Sequence, residues 1–156
     1  MCFSVKRKNF LSKYEELKMF EVISITEARV TRYVHLRNCE TGKIEHCFDD
    51  SFFCDEGQKD FWFMKVGERY ECKIMLFGRP LKPGEEIDED CLVCRIIGPK
   101  KKLGLHNIIP VKSGENYYYI SEKDAKKLNF ADEFKFHSSR KDLIQVDDVI
   151  SPNFLR

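Results

Sequence analysis

Residues 28–38 carry cationic and ring-bearing side chains at a spacing of two. Arg29, Tyr33, His35 and Arg37 therefore share one face of a predicted strand, since successive strand side chains point to opposite sides. Arginine neutralises phosphate groups, and an aromatic ring is a surface on which a nucleic-acid base can stack. This face is therefore a candidate nucleic-acid-binding site. An ordinary solvated strand face has the same composition, so both interpretations stand at this point.

Two basic segments would extend such a face into a path for phosphate groups. They are Lys100, Lys101 and Lys102 in a predicted loop, and Lys6, Arg7 and Lys8 near the N-terminus. The formal net charge of the chain is only +1, so the molecule as a whole generates no field that attracts a polyanion. Nucleic-acid binding would therefore depend on a local patch.

A second candidate surface combines an acidic loop with tyrosines. Glu85, Glu86 and Asp88 belong to an acidic run between two predicted strands, and Tyr117 and Tyr119 point the same way on another strand. Exposed tyrosines are frequent in protein interfaces, and complementary charge steers association. This pattern indicates, as an alternative function, a small protein-binding immunity or inhibitor-type protein. Tyrosine is also commonly half-buried in a sheet, so this strand is equally compatible with a protein-binding surface and with an ordinary sheet face.

The cysteines and histidines form no standard metal or catalytic motif. Cys91 and Cys94 make a C-x-x-C on a predicted strand, where residues three apart point to opposite faces. A second group, whose spacing matches no zinc site, is Cys39, His46, Cys47 and Cys54. The chain also contains no nucleophile elbow, zinc-protease motif or phosphate-binding glycine loop. We therefore predict no metal, no cofactor and a non-catalytic function, with an enzyme assembled from scattered residues as a further alternative.

Alternating apolar and polar residues identify the strands that position these side chains. In residues 69–76, Tyr70, Cys72, Ile74 and Leu76 point one way, which predicts a strand with one buried face. Residues 28–38 and 43–48 are predicted to pair as a hairpin around a turn that contains Gly42.

Arg32 is the exception in this hairpin, because it lies in phase with the apolar residues Val30 and Val34. Three explanations are open. The strand has a bulge there, or the long side chain reaches past the edge of the core. The third is a buried ion pair with an acidic residue, which is costly.

About nine short strands and two short helices predict an all-β or β-rich α+β fold with antiparallel strands, because most connections are tight turns. Five strands lie within residues 19–98, and their number and size resemble an oligonucleotide/oligosaccharide-binding (OB) barrel. The predicted organisation is a lead-in with a short helix over 1–18, an OB-like five-stranded barrel over 19–98, and a small β-α-β extension over 103–156. The extension is predicted to pack on the barrel as one compact unit.

No segment of the sequence has the apolar length of a signal peptide or a spanning helix, which predicts a soluble cytoplasmic protein without a membrane partner. The seven cysteines are then expected to be mostly free thiols. The predicted partner is a single-stranded nucleic acid or, in the alternative, a protein. The sequence leaves the oligomeric state open.

Overall fold

The computed structural model describes residues 18–52 and 57–156, and strands dominate this part of the chain. Strands account for 54% and helices for 7% of these residues, which confirms the predicted strand-rich class. The strands, in chain order, are β1 (Met19–Glu27), β2 (Arg32–Asn38), β3 (Ile44–Asp49), β4 (Arg69–Pro80), β5 (Cys91–Ile96), β6 (Lys101–Leu103), β7 (His106–Ser113), β8 (Asn116–Ser121), β9 (Glu133–Val146) and β10 (Val149–Ile150). The helices are α1 (Glu122–Lys127) and a 3-10 helix (Pro152–Leu155). Within the described ranges, neither helix is long and apolar enough to span a membrane.

The period-two patterns of β4 and β2 form where the sequence predicts them. In β4, Cys72, Ile74 and Leu76 are buried, and in β2 the buried set includes Val34 and Leu36. All five side chains belong to one apolar core cluster, so burial of one face stabilises both strands. The intervening residues of β2 point outwards and are free to form a surface.

Five strands form a ring of hydrogen-bonded neighbours in the order β1–β2–β3–β9–β4, with β4 paired back to β1. The β3–β9 pairing is parallel, and the other four are antiparallel. The strands β1, β2 and β3 are consecutive, and β4 returns beside β1, which is the order of a Greek key. The ring therefore encloses the apolar side chains of its inner face and presents an outer face to solvent.

A second circuit of strands shares β4 and β9 with this ring and continues through β8, β7 and β5. The helix α1 follows β8 directly. Its first turn is capped, since Ser121 Oγ accepts a hydrogen bond from the Asp124 amide at 3.1 Å. The long β4–β9 pairing is thus common to both circuits.

The fifth strand of the ring differs from the prediction. The last of the five strands predicted within residues 19–98 covers residues 91–97, whereas the structure places β9 at that position and puts β5 in the second circuit. The sheet also contains ten strands in the described ranges rather than five in a separate barrel. The reason is β9 itself: residues 133–137 and 143–146 read as two strands around a polar turn, but they are one continuous strand.

The domain boundaries stay a prediction, although the ring takes strands from both predicted segments. The predicted short N-terminal helix over residues 12–18 lies outside the described residues, apart from Lys18 in a turn.

Arg32 forms the buried ion pair that the sequence offered as one of three explanations. Its Nε donates to Asp49 Oδ2 at 2.8 Å, and the two side chains are 2% and 0% exposed. A bulge does occur nearby, but it lies on β1 between Val22 and Ser24. Arg32 therefore stays in phase with the buried residues of β2 and pairs with Asp49, its direct register partner on the adjacent strand β3.

Candidate functional site

A row of aromatic rings and one guanidinium group crosses four neighbouring strands on the outer face of the ring. Tyr33 lies on β2, Phe48 on β3, Arg140 on β9 and Phe77 on β4. Strand pairing aligns them, because Tyr33 is the register partner of Phe48, and Arg140 is the register partner of Phe77. We call these four side chains the aromatic row.

The members of the aromatic row touch in sequence from one end to the other. The ring centroids of Tyr33 and Phe48 are 5.6 Å apart. The Arg140 guanidinium carbon lies 4.2 Å from the centroid of Phe48 and 4.4 Å from that of Phe77, so the cation is held between two rings. Tyr33 and Phe77 are 41% and 49% exposed. With neighbouring strands about 4.8 Å apart, the row is about 14 Å long, which gives an extended ligand a stacking surface.

Two histidines continue this outer face along β2 and β3. His35 and His46 are register partners, and their Nδ1 atoms are 2.6 Å apart, so one ring nitrogen donates to the other. Burial, with a smaller contribution from His46, lowers the pKa of His35 below its ordinary value. His35 is therefore neutral at pH 7 and adds a ring rather than a positive charge to the surface.

The next cross-strand pair on this outer face, beyond the histidines, is Arg37 and Ile44. Arg37 forms an exposed ion pair, because its Nη2 donates to Glu21 Oε1 at 3.0 Å. The positive charge that the sequence assigned to phosphate binding is thus balanced by a neighbouring carboxylate on β1. An exposed pair of this kind is weak, so an anionic ligand could still compete for Arg37.

At the Phe77 end, the aromatic row meets the mouth of a cleft of 530 Å³. Its apolar walls include Met75, Ile108, Ile144 and Phe154, and Phe77 and Arg140 line both the cleft and the row. The other polar residues that line it are Asp50, His106, Asn107, Ser121, Glu122, Lys123, Asp142, Ser151 and Asn153. A volume of this size, with apolar walls and a few polar groups, suits a ligand group as large as a single base.

Arg140 is anchored by a two-pronged ion pair with Asp142. Its Nε and Nη2 donate to the two carboxylate oxygens of Asp142 at 2.6 and 3.0 Å. Burial raises the pKa of Asp142 above its usual value, although the hydrogen bonds from Arg140 act in the opposite direction. The same hydrogen bonds raise the pKa of Arg140. The carboxylate therefore fixes the plane of the guanidinium against the two rings and also cancels most of its charge.

The structure brings some of the predicted nucleic-acid-binding residues together and separates others. Tyr33, His35 and Arg37 share the outer face of β2, whereas Arg29 lies in the exposed connection between β1 and β2. The three predicted lysines Lys100, Lys101 and Lys102 lie at β6, which pairs with β7 in the second circuit. Lys100 also pairs with Glu122 at 3.2 Å. The lysines are therefore not a continuation of the β2 face.

The residues of the alternative protein-binding surface are separated as well. Tyr119 is only 4% exposed and packs in a small second core cluster, while Tyr117 is half-buried. The expected pair of exposed tyrosines is therefore not available, because the β8 face that carries Tyr119 is covered. Glu85 accepts both prongs of the Arg79 guanidinium at 2.7 and 2.6 Å, whereas Glu86 and Asp88 are exposed in the same loop.

Sequence reasoning did not assign Phe48, Phe77 or Arg140 to a site. The alternation of residues 43–48 does place Phe48 on the side of Ile44 and His46, so that signal was available. Phe77 and Arg140 become neighbours of Phe48 only through the strand order β3–β9–β4, which joins segments far apart in the chain.

In comparisons with known proteins, no family model, no curated protein and no solved structure matches this chain.

Proposed function

We propose that this protein binds single-stranded nucleic acid on the outer face of the five-strand ring, with bases stacked on the aromatic row. The observation that carries the proposal is the continuous contact Tyr33–Phe48–Arg140–Phe77 across four strands. Aromatic rings on a sheet surface bind bases of any sequence, because every base has a π-face.

The ring of strands supports an OB-like assignment, which we propose as the architecture behind this function. It has five members and Greek-key order, and its inner face is apolar. OB barrels bind oligonucleotides on the face formed by their second and third strands. The row begins on β2 and β3 with Tyr33 and Phe48, so its position agrees with that of an OB binding face.

The charges around the row define what kind of nucleic-acid binding is proposed. Arg140 is paired with Asp142, and Arg37 is paired with Glu21, so few uncompensated cations face the ligand. For single strands, the logarithm of the binding constant falls linearly with the logarithm of the salt concentration. Each phosphate that a protein cation neutralises adds about 0.7 to the steepness of this slope. We therefore propose binding dominated by base stacking, with a shallow dependence on salt.

Removal of either exposed ring of the row is expected to weaken binding strongly. Tyr33→Ala and Phe77→Ala each remove one stacking surface, which is worth about 1–3 kcal/mol per base, or about 5- to 150-fold in affinity. The measurement is fluorescence polarisation with labelled single-stranded DNA and RNA oligonucleotides, each at two salt concentrations.

Phe63→Ala is the matched control for these variants. Phe63 is 41% exposed, as Tyr33 is, but it contacts Tyr70 and lies outside the row. The affinity of the Phe63→Ala variant for the oligonucleotides should equal that of the wild type. If the wild-type protein binds no oligonucleotide at low salt, or if all three variants lose affinity equally, the proposed function is wrong.

Removal of the Asp142 charge should have the opposite effect. Asp142→Asn keeps the shape of the side chain and one oxygen that accepts from Arg140, but it removes the carboxylate charge that balances the guanidinium. We expect tighter binding and a salt slope steeper by about 0.7, the value for one additional phosphate contact. Polarisation titrations over a series of salt concentrations measure this slope. An unchanged slope would show that the ligand makes no phosphate contact at Arg140.

The acidic loop between β4 and β5 supports the alternative function, a protein-binding surface. Glu86 and Asp88 are exposed there, with Glu89 and Asp90 beside them. A partner of this loop would carry a basic surface, because complementary charge steers association. The charge reversal Glu86→Lys should then abolish capture of that partner and leave oligonucleotide binding unchanged. If the wild type and Glu86→Lys capture the partner equally well, the acidic loop is not the contact surface.

A further inference from the structure

Three potential metal ligands converge where the acidic loop meets the sheet. Cys91 is the first residue of β5, and His137 is its direct register partner on β9. Asp88 lies three residues before Cys91, in the loop. A thiol, an imidazole and a carboxylate are thus within reach of one another, and they come from two strands and a loop.

The separations between the potential ligand atoms are close to those of a metal site. Cys91 Sγ lies 3.2 Å from Asp88 Oδ1 and 4.0 Å from His137 Nδ1, and His137 Nδ1 lies 3.4 Å from Asp88 Oδ2. Tetrahedral zinc with ordinary Zn–S, Zn–N and Zn–O bonds separates its ligand atoms by about 3.4–3.6 Å. The two Asp88 distances end on different carboxylate oxygens. With one atom from each residue, the three ligand atoms lie within 4.8 Å of one another, and rotation of the exposed Asp88 carboxylate brings one oxygen close to both partners.

The backbone on both sides fixes the position of the ligands. Gly78 on β4 allows the backbone of His137 to approach so closely that a Cβ atom at residue 78 would lie 1.9 Å from the His137 carbonyl oxygen. On the other side, the Cys91 amide donates to the Asp88 carbonyl at 3.2 Å, and the Ser138 amide donates to that of Asp90 at 3.0 Å. The loop is therefore held against β9 before any metal binds.

We propose that Asp88, Cys91 and His137 bind one divalent zinc ion, with a fourth position open to solvent. The mixture of one thiolate, one imidazole and one carboxylate favours zinc over calcium or magnesium, which prefer oxygen ligands only. Asp88 is exposed, so the fourth position faces water. The site lies on the same β4–β9 pair as the aromatic row, since Arg79 and Phe77 are the register partners of His137 and Arg140.

This zinc site has consequences that do not depend on nucleic-acid binding. Metal that binds only the folded chain stabilises it, so the melting temperature should rise with zinc concentration. The acidic loop should also become more resistant to proteolysis, because the ion ties Asp88 to β9. A bound ion adds two positive charges next to a cluster of carboxylates and lowers the local negative potential.

The experiment uses the full chain, stripped with a chelator and then titrated with Zn²⁺ or Co²⁺. We expect one metal ion per chain, visible absorption of tetrahedral Co²⁺, and a thiolate-to-cobalt charge-transfer band in the near ultraviolet. Cys91→Ser should remove the charge-transfer band. His137→Ala and Asp88→Asn should weaken binding, His137→Ala by at least about 100-fold, since even the loss of an outer partner of a ligand costs about 10- to 100-fold.

Cys39→Ser is the matched control, because Cys39 is an exposed free thiol outside the cluster. It should keep both the stoichiometry and the spectrum, and circular dichroism of each apo variant shows whether it is folded. The proposal is overturned if the wild type binds no metal, if the cobalt complex has no thiolate band, or if folded Cys91→Ser and His137→Ala bind as tightly as the wild type.

Discussion

Asp49→Asn is expected to lower the free energy of unfolding by about 3–5 kcal/mol, the cost of leaving one charge of a buried ion pair without its partner. Asp49 is fully buried and accepts from Arg32 Nε at 2.8 Å. Asparagine keeps the shape but not the charge, and arginine cannot give up its proton at any physiological pH. The variant therefore retains an uncompensated guanidinium in the interior.

The effect is large because this ion pair organises a connection as well as two strands. Arg32 Nη2 donates to the Phe61 carbonyl at 2.5 Å, and its guanidinium carbon lies 4.6 Å from the Trp62 ring centroid. Asp49 Oδ1 accepts from the Ser51 amide, and Ser51 Oγ accepts from the Phe61 amide, each at 2.9 Å. Loss of the Asp49 charge therefore loosens the start of the connection between β3 and β4, at Ser51, and its middle, at Phe61.

Urea unfolding monitored by circular dichroism measures this change. Glu21→Gln is the matched control, because it also converts a carboxylate to an amide beside an arginine, but at the surface. An exposed pair contributes at most about 1 kcal/mol. If Asp49→Asn is no less stable than Glu21→Gln, the Arg32–Asp49 pair does not stabilise the fold as argued. The double variant Arg32→Met/Asp49→Leu should regain much of the loss, since it removes both buried charges.

The sequence predicts β2 and β4 well because each of them buries one face and exposes the other. A period of two is then visible in the chain itself, as in Cys72, Ile74 and Leu76. The strand β9 has no such period-two pattern along its whole length. Its middle residues, 138–142, are polar and resemble a turn, yet they pair with β4 on one edge and with β3 on the other. Their strand conformation comes from partners distant in the chain, which a local pattern does not contain.

Dependence on distant strand pairing also explains which residues of the aromatic row and of the zinc site can be predicted from the sequence. The outward face of β2, with Tyr33 and His35, follows from alternation alone. Arg140 joins that surface only because β9 lies between β3 and β4. The zinc ligands Asp88 and Cys91 are near neighbours in the chain, but His137 reaches them through the β5–β9 pairing. Both sites depend on the pairing order of β9, the element that sequence reasoning described least accurately.

A second buried polar group joins the two circuits of strands. Glu45 on β3 is 2% exposed and accepts from the Tyr118 hydroxyl of β8 and from Lys141 Nζ of β9, each at 2.5 Å. Lys43 Nζ lies 3.7 Å from the same carboxylate. Burial, followed by the charge of Glu45, raises the pKa of Tyr118 far above its usual value, so the hydroxyl stays a donor. One carboxylate thus satisfies a hydroxyl and two ammonium groups.

Glu45→Gln is therefore expected to destabilise the protein by about 3 kcal/mol. The amide cannot accept at both of its ends, so one donor loses its acceptor and the two lysines lose their counter-charge. Tyr118→Phe removes a hydroxyl that donates to Glu45 and accepts from Lys43 Nζ at 3.2 Å and Lys141 Nζ at 3.3 Å. It should cost less, about 1–2 kcal/mol, because both lysines keep the carboxylate of Glu45 as their counter-charge. Urea unfolding of both variants shows which of them loses more free energy of unfolding. A larger loss for Tyr118→Phe than for Glu45→Gln would contradict the central role of the carboxylate.

A double-mutant cycle between Glu45→Gln and Lys141→Met separates the pairwise interaction from the cost of each single change. Residues that share one network couple by about 0.5–3 kcal/mol, whereas independent sites add. Additive losses would mean that Glu45 and Lys141 stabilise the fold independently of each other. Coupling would mean that the parallel β3–β9 contact, which places Phe48 against Arg140, depends on this buried carboxylate. In that case Glu45→Gln should also weaken oligonucleotide binding, although Glu45 is buried away from the outer surface where the ligand is proposed to lie.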